Sequence, residues 1–345
     1  MSELRALTGA RGLAAWAVVF YHIRGALAWA PPAAIAVLTK GYLAVDFFFL
    51  LSGFVIWLSW HVRLREAGVA AFLHKRVARI WPLHLVMLAA AVLLALLLAA
   101  TGRPDPAFPL AELPLHLLLL QNWGFTTALR WNDPAWSISC ELAAYLLFPL
   151  LIAAVDWRRL PTMALVATAA AILLLLHAIM AGQPGLGAAI PRFGLARCLT
   201  EFATGTIIAA LYLRRPPLWP CLAVGVACLL ARALGAAETV TIPATFAALL
   251  LALALTSDRP GNPLATRAIH YLGEISYATY LSHFLLWKVF KLAAVRDATA
   301  VPPLLITAYL LLVLAASVAL YHLVERPAQR WVNAWRWPRR TAARA

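Results

Sequence analysis

The chain has 345 residues, 63% of them hydrophobic and 12% charged, and its mean hydropathy is +0.81. That composition excludes a soluble globular domain, because long uncharged runs recur along the whole length and must face lipid. A formal net charge of +15 would suit a nucleic-acid binder if the basic residues formed one patch. They sit instead in short clusters between apolar runs, as positive-inside loops do, and nucleic acid is not an expected partner.

Length and hydropathy predict an all-α polytopic membrane helix bundle of about ten transmembrane spans. They fall at 11–30, 42–60, 81–101, 134–155, 160–181, 193–213, 217–235, 238–256, 272–294 and 301–324. Segment 110–122 is too short and proline-broken for a crossing and reads as an interfacial or re-entrant piece. Placing both termini in the cytoplasm puts most of the 29 Lys and Arg residues on the inner side. The first apolar stretch has no convincing small-residue cleavage site, so it reads as an uncleaved span of a multi-pass protein of the inner (plasma) membrane. One membrane domain, 1–345, accounts for the chain, with no soluble appended domain. Within it, 326–345 mixes Trp331, Trp335 and Trp337 with arginines and reads as a cytoplasmic amphipathic tail at the headgroup layer. Cys140, Cys198, Cys221 and Cys228 lie in or beside apolar spans without a C-x-x-C pair, and read as small buried hydrophobes.

Ionisable residues inside apolar spans carry the functional signal, since at that depth they face a bundle interior or a watery cavity. In the first span, Arg11 and His22 lie on one stripe. Eleven helical steps return His22 to within roughly 20° of Arg11's face and roughly 16 Å along the axis. The second span places Asp46 beside three phenylalanines near its outer end, where a bare carboxylate needs a partner, a proton or a local capping role. The basic turn 72–82 holds Lys75, Arg76 and Arg79. On a helix Arg76 and Arg79 point the same way, a pair suited to phosphate oxygens, although such a turn also sets topology and touches anionic lipid. The fourth span opens with Asp133 as an N-cap before Pro134 and then carries Ser137, Glu141 and Tyr145 on one polar stripe beside Trp136. In the ninth span Ser276, Tyr280 and His283 share a face that could line a cavity. Glu325 and Arg326, ending the tenth, read as local charge pairing before a helix stop. No histidine pattern indicates a metal, and no Walker loop or G-x-G-x-x-G suggests nucleotide-driven transport.

Together these stretches resemble the acyltransferase-3 family, integral membrane proteins that O-acylate cell-surface carbohydrates. Arg11 and His22 correspond to its R-x(10)-H, and Gly41 to Phe54 to its G-x-x-x-V-D-x-F-F-x-x-S-G-F. Arg76, Arg79 and Pro82 match R-x-x-R-x-x-P, while Trp136, Ser137, Glu141 and Tyr145 match W-S-x-x-x-E-x-x-x-Y. Leu272 to His283 is similar to L-G-x-x-S-Y-x-x-Y-L-x-H, and Val324 to Pro327 to V-E-x-P. The resemblance implies an acyl-CoA donor, usually acetyl-CoA, entering from the cytoplasm as a substrate rather than a resident cofactor. It implies a hydroxyl of a carbohydrate or glycolipid as acceptor, His22 as the essential residue, and Arg11, Lys75, Arg76 and Arg79 on the donor side. Some relatives carry an extracytoplasmic domain that completes the transfer, so the resemblance implies that this chain either acts alone or works with a separate extracytoplasmic acyltransferase partner.

The expected mechanism has His22, oriented by Glu141 or Asp46, deprotonating the acceptor hydroxyl or carrying the acyl group transiently. Trp136, Ser137, Tyr145, Ser276, Tyr280 and His283 would line the substrate path. The competing reading is a proton-coupled transporter or lipid-linked sugar flippase that uses His22, Asp46 and Glu141 as a proton relay.

Overall fold

The computed structural model describes residues 3–335, and they are built almost wholly from helices. In order these are α1 (Arg5–Ile23), α2 (Pro32–Thr39), α3 (Ala44–Trp60), α4 (Arg63–Ala100), α5 (Leu113–Leu117), α6 (Ala135–Ala154) and α7 (Thr162–Ile179). They continue as α8 (Ile190–Leu213), α9 (Leu218–Ala233), α10 (Glu238–Thr256), α11 (Arg267–Glu274), α12 (Ser276–Ala294), α13 (Pro303–Leu320) and α14 (Arg326–Ala334). Among the described residues the only extended pairing is an isolated bridge between Leu27 and Ala300.

Among those residues, seven helical segments are long and apolar enough to cross a membrane. The protein is therefore an all-α polytopic membrane bundle, the arrangement that satisfies every backbone group without water. A helix also stands at each remaining predicted span. Of these, α9 is only 16 residues long, while α1 and α12 are diluted by the polar residues that make them interesting. Three boundaries differ from expectation. Helix α1 starts at Arg5, so Arg11 sits inside the helix rather than at its mouth. Helix α4 runs back to Arg63 across a break at Gly68 (φ 83°), which makes the basic turn part of a long helix. The ninth span is divided at Ile275 into α11 and α12. Segment 110–122 holds a short 3-10 turn, α5 and the start of a further turn, with His116, Gln121 and Asn122 buried.

Burial ranks the helices. The apolar windows of Pro32–Trp60 and Ile190–Leu213 are 67% and 72% buried, against 22% and 28% for Thr162–Ile179 and Pro303–Ala334. Helices α3 and α8 thus form the centre, and α7 and α13 turn most of their surface outward. Backbone contact fixes the central pair. A Cβ on Gly53 would stand 1.9 Å from the Phe202 carbonyl oxygen, and one on Gly205 would stand 2.0 Å from that of Leu50. Small residues permit this approach, and the helix packing that replaces the hydrophobic effect in lipid depends on it. Gly53→Ala must push α3 off α8, with an expected loss of about 1–3 kcal/mol, read as a lower thermal unfolding midpoint in detergent.

Helix α14 is strongly amphipathic, with Trp331 and Trp335 exposed. His74 Nε2 donates to the Val332 carbonyl at 2.8 Å and holds this helix against α4. Trp337 and the rest of the expected tail lie outside the described residues. All four cysteines are free; Cys140, Cys198 and Cys221 are buried and Cys228 is half-buried.

Candidate active site

Two cavities lie along the axis of α1. The larger, of about 530 Å³, is lined by Arg11 from α1, Arg76 and Arg79 from α4, Glu141 and Tyr145 from α6, and Ser276 from the start of α12. The smaller, of about 230 Å³, is lined by His22 and Arg24 beyond it, by Asp133 and Trp136 at the start of α6, and by Arg197 of α8. Tyr280 lines both.

The arginine cavity is assembled by close backbone packing. A Cβ on Gly12 would lie 2.6 Å from Gly273 N, and one on Gly273 would lie 1.8 Å from the Thr8 carbonyl oxygen. Helices α1 and α11 touch there, and Arg11 donates from Nε and Nη2 to the Gly273 carbonyl at 3.2 and 2.7 Å. The guanidinium satisfies a carbonyl left open where α11 ends. Ser276 Oγ donates to the same oxygen at 2.7 Å. Arg79 is held by an ion pair with Glu325, and its guanidinium lies 5.3 Å from the Tyr277 ring centre. Arg76 sits 5.8 Å from the centres of the Phe72 and Tyr145 rings; its Nε is buried without an acceptor, and it makes no ion pair among the described residues. Of the three arginines facing this cavity, Arg76 is therefore the one whose hydrogen-bonding capacity is open.

On the opposite wall, Glu141 Oε1 accepts from Ser52 and from Tyr145 Oη, the latter at 2.5 Å. This leaves Oε2 free toward the cavity. Glu3, near the cavity mouth, is partly buried, which opposes its charge, yet hydrogen bonds from His270 and Thr8 hold its carboxyl below the ordinary value.

In the smaller cavity the tautomer of His22 follows from its neighbours. Its Nδ1 lies 2.9 Å from the Val18 carbonyl, which only accepts, so Nδ1 carries the proton. His283, fully buried on α12, likewise places Nδ1 at 3.1 Å from the Thr279 carbonyl. His283 Nε2 is then an acceptor, and it lies 3.1 Å from His22 Nδ1. The neutral His22 ring therefore keeps Nε2 as a lone pair, with no protein partner among the described residues. The edge of Phe284 fixes the ring plane, with centroids 5.2 Å apart. Arg24 lies 3.8 Å from the Tyr21 ring centre and donates to the Tyr21 carbonyl. Burial pushes the Asp133 carboxyl above its ordinary value against the opposing influence of Lys288 and Arg130.

Between the cavities stands a hydrogen bond. Ser137 Oγ donates to the Pro134 carbonyl at 3.0 Å, so it accepts from Tyr280 Oη at 2.8 Å. Trp136 faces one cavity and Ser137 the other.

Several expectations change on this geometry. Neither Glu141 nor Asp46 orients His22: Glu141 belongs to the arginine cavity, and Asp46 is sealed in an ion pair with Arg197 at 2.7 Å. His283 holds the imidazole instead. Lys75 lines neither cavity, because it points about 100° away from Arg76 on the helix. Asp133 does not cap α6, whose first turn has no side-chain cap. Glu325 pairs with Arg79 of α4 rather than with neighbouring Arg326. Trp136, Ser137, Tyr145, Ser276 and Tyr280 all line a cavity, whereas His283, expected on the same path, lines neither and sits fully buried behind His22. The sequence reading missed Arg197 and Arg24. Arg197 had a signal, since it and Glu201 form an i,i+4 pair inside an apolar helix.

The acyltransferase domain family model matches residues 4–322 of the chain. The chain belongs to the acyltransferase-3 family. Acyltransferase MdmB of Streptomyces mycarofaciens is similar to it throughout, 33% identical over 363 aligned residues that cover 95% of this chain and 92% of MdmB. Protein 2 in picA locus of Rhizobium radiobacter is 34% identical over 151 residues, covering 39% of this chain and 75% of that protein. No solved structure matches the chain. As a member of the acyltransferase-3 family it is an acyltransferase, and its helices make it a multi-pass membrane enzyme.

Proposed function

We propose that this acyltransferase takes an acyl group, acetyl in the first instance, from acyl-CoA at the cytoplasmic face of the inner membrane. It delivers that group to a hydroxyl of an envelope carbohydrate or glycolipid. One observation carries the reading: a cavity with three arginines and a cavity with a correctly tautomerised imidazole meet at a single tyrosine. Both termini then lie in the cytoplasm, as the distribution of basic residues favours. Arg76, with Arg11 and Arg79 beside it, suits the phosphates of coenzyme A, since charge-assisted bonds to guanidinium are the strong ones. The pantetheine arm follows α1 for roughly 16 Å toward His22, passing Tyr280.

At His22, Nε2 takes the proton of the acceptor hydroxyl as the oxygen attacks the thioester carbon, and returns it to the departing thiolate. A transient acyl group on the same nitrogen gives the alternative two-step route. Either way Nδ1 keeps its proton, shared between the Val18 carbonyl and His283 Nε2. This pair does what a carboxylate does for many catalytic histidines: it fixes tautomer and plane. The acceptor binds at the His22 side, where Trp136 offers an aromatic face. A separate extracytoplasmic protein that completes the transfer fits the same scheme.

Two measurements test it. Mass spectrometry of surface glycans and glycolipids from cells with and without the chain should show loss of an acyl mass in its absence; unchanged spectra would overturn the acceptor class. Coenzyme A binding to purified protein should weaken roughly ten- to hundredfold in Arg76→Ala, because a charge-assisted hydrogen bond is worth about 1.5–3 kcal/mol. Undiminished affinity would remove Arg76 from the donor site, and no binding by the parent would favour the transporter reading.

A further inference from the structure

Arg197 is a fully buried cation that the donor-and-base scheme leaves unused. It lies on α8, is about 1% exposed, and lines the same 230 Å³ cavity as His22. Its Nε and Nη2 both donate to Asp46 Oδ1, at 3.1 and 2.7 Å. Its carbon centre stands 5.4 Å from the Trp136 ring centre. Nη1 has no protein acceptor among the described residues and is not among the sealed, unpartnered nitrogens. The face of the guanidinium turned away from Asp46 is thus the one presented to the cavity. One turn further along α8, Glu201 is fully buried, with neither carboxyl oxygen accepting a hydrogen bond. The backbone contacts of Gly53 and Gly205 lock α3 to α8, so the pair cannot relax apart. A cation so expensive to bury, fixed on one edge and open on the other, is a preorganised site for negative charge.

Resting on the proposed acyl transfer, we propose that Arg197 is a catalytic residue whose Nη1 binds the carbonyl oxygen of the acyl group and the oxyanion that develops on it. The acceptor oxygen forms its bond to the carbonyl carbon, the carbon–oxygen π pair moves onto the oxygen facing Nη1, and the hydroxyl proton goes to His22 Nε2. When the pair returns, the carbon–sulfur bond breaks and the thiolate takes that proton. Asp46 is the positioning residue: it aims the guanidinium and never meets substrate. This gives the V-D stretch of the second span a role other than orienting the imidazole. His22 and Arg197 line one cavity, and in the proposed geometry the reacting carbonyl sits between them. Preorganised donors aimed at a developing oxyanion are worth roughly 10²–10³ in turnover.

The test uses the full chain in lipid nanodiscs with radiolabelled acetyl-CoA and an envelope extract from cells lacking the chain as the acceptor pool. Asp46→Asn combined with Arg197→Gln removes both charges together, and so leaves no bare ion in the bundle. It should bind coenzyme A as the parent does, keep its KM for acetyl-CoA, and lose roughly a hundredfold or more in kcat. Retention of kcat within threefold overturns the proposal. If the double variant does not accumulate in folded form, Arg197→Lys decides. Its charge still answers Asp46 but its single donor group lacks the fork, and kcat should fall about tenfold or more at unchanged KM; parental kcat overturns the proposal. A parent that transfers no label, in contrast, strikes at the acyl-CoA reading and not at Arg197 alone.

Discussion

Replacing His22 by alanine is expected to lower acyl transfer by about 10²–10⁴, the usual worth of a positioned general base, and by more if the ring carries the acyl group. Coenzyme A binding should persist, because the arginine cavity is built without His22. His283→Gln separates orientation from chemistry. A glutamine that presents its amide oxygen to His22 Nδ1–H preserves the acceptor, so turnover should fall by roughly tenfold only. His283→Leu, which removes the acceptor while keeping bulk, should cost more. The informative measurement is kcat against KM for acetyl-CoA in each variant. A His22→Ala protein that transfers at the parental rate would end the mechanism, and a His283→Leu protein indistinguishable from the parent would end the role given to the pair. Rapid quenching of the parent without acceptor distinguishes the two routes, since only the covalent one leaves label on the protein.

The second large effect concerns stability. Asp46→Ala takes from the Arg197 guanidinium the carboxylate it hydrogen-bonds, at a site where both side chains are about 0–1% exposed. Removing one member of a buried ion pair typically costs about 3–5 kcal/mol, because the stranded charge keeps its full desolvation penalty. A large drop in the thermal unfolding midpoint of the detergent-solubilised protein is therefore expected. Asp46→Asn with Arg197→Gln should recover most of it, since two neutral amides of similar shape can pair with each other. If the single and double variants unfolded at the same temperature, the charges would not be what makes this position sensitive. The contrast matters for activity as well: a destabilised Asp46→Ala enzyme is inactive for a trivial reason, whereas the double variant tests chemistry on an intact frame.

The same reasoning separates two of the ion pairs that link distant helices. Arg79 remains partly exposed, at 27%, while Glu325 is 2% exposed. The cation of that pair is open along one side, whereas Asp46 is wholly enclosed and Arg197 meets its cavity only by the edge turned away from Asp46. On the proposed scheme, donor phosphates entering the larger cavity share Arg79 with Glu325, while Arg197 keeps two of its donors on Asp46.

The sequence by itself determined the membrane class, the helical architecture and the identity of most polar groups on the path. Apolar runs of bilayer length admit hardly any other structure. A charge within such a run is costly enough that its position is already a statement about function. Arg11 and His22 on one stripe, or Ser137, Glu141 and Tyr145 on another, follow from 3.6 residues per turn alone. What no helical period can report is which stripe faces which. Depth and ionisability alone offer either Glu141 or Asp46 as the partner of His22. The bundle instead places Glu141 and His22 in different cavities, Glu141 with Ser52 and Tyr145, and His22 with His283, 261 residues away in sequence. Asp46 found Arg197 across 151 residues and Glu325 found Arg79 across 246. The Asp46–Arg197 pair depends on the glycine-mediated contact of α3 with α8, and the seat of Arg11 on that of α1 with α11. A glycine in a sequence announces that something approaches closely without saying what. Partner choice among buried charges is a property of interhelical packing, and only the tertiary structure decided it.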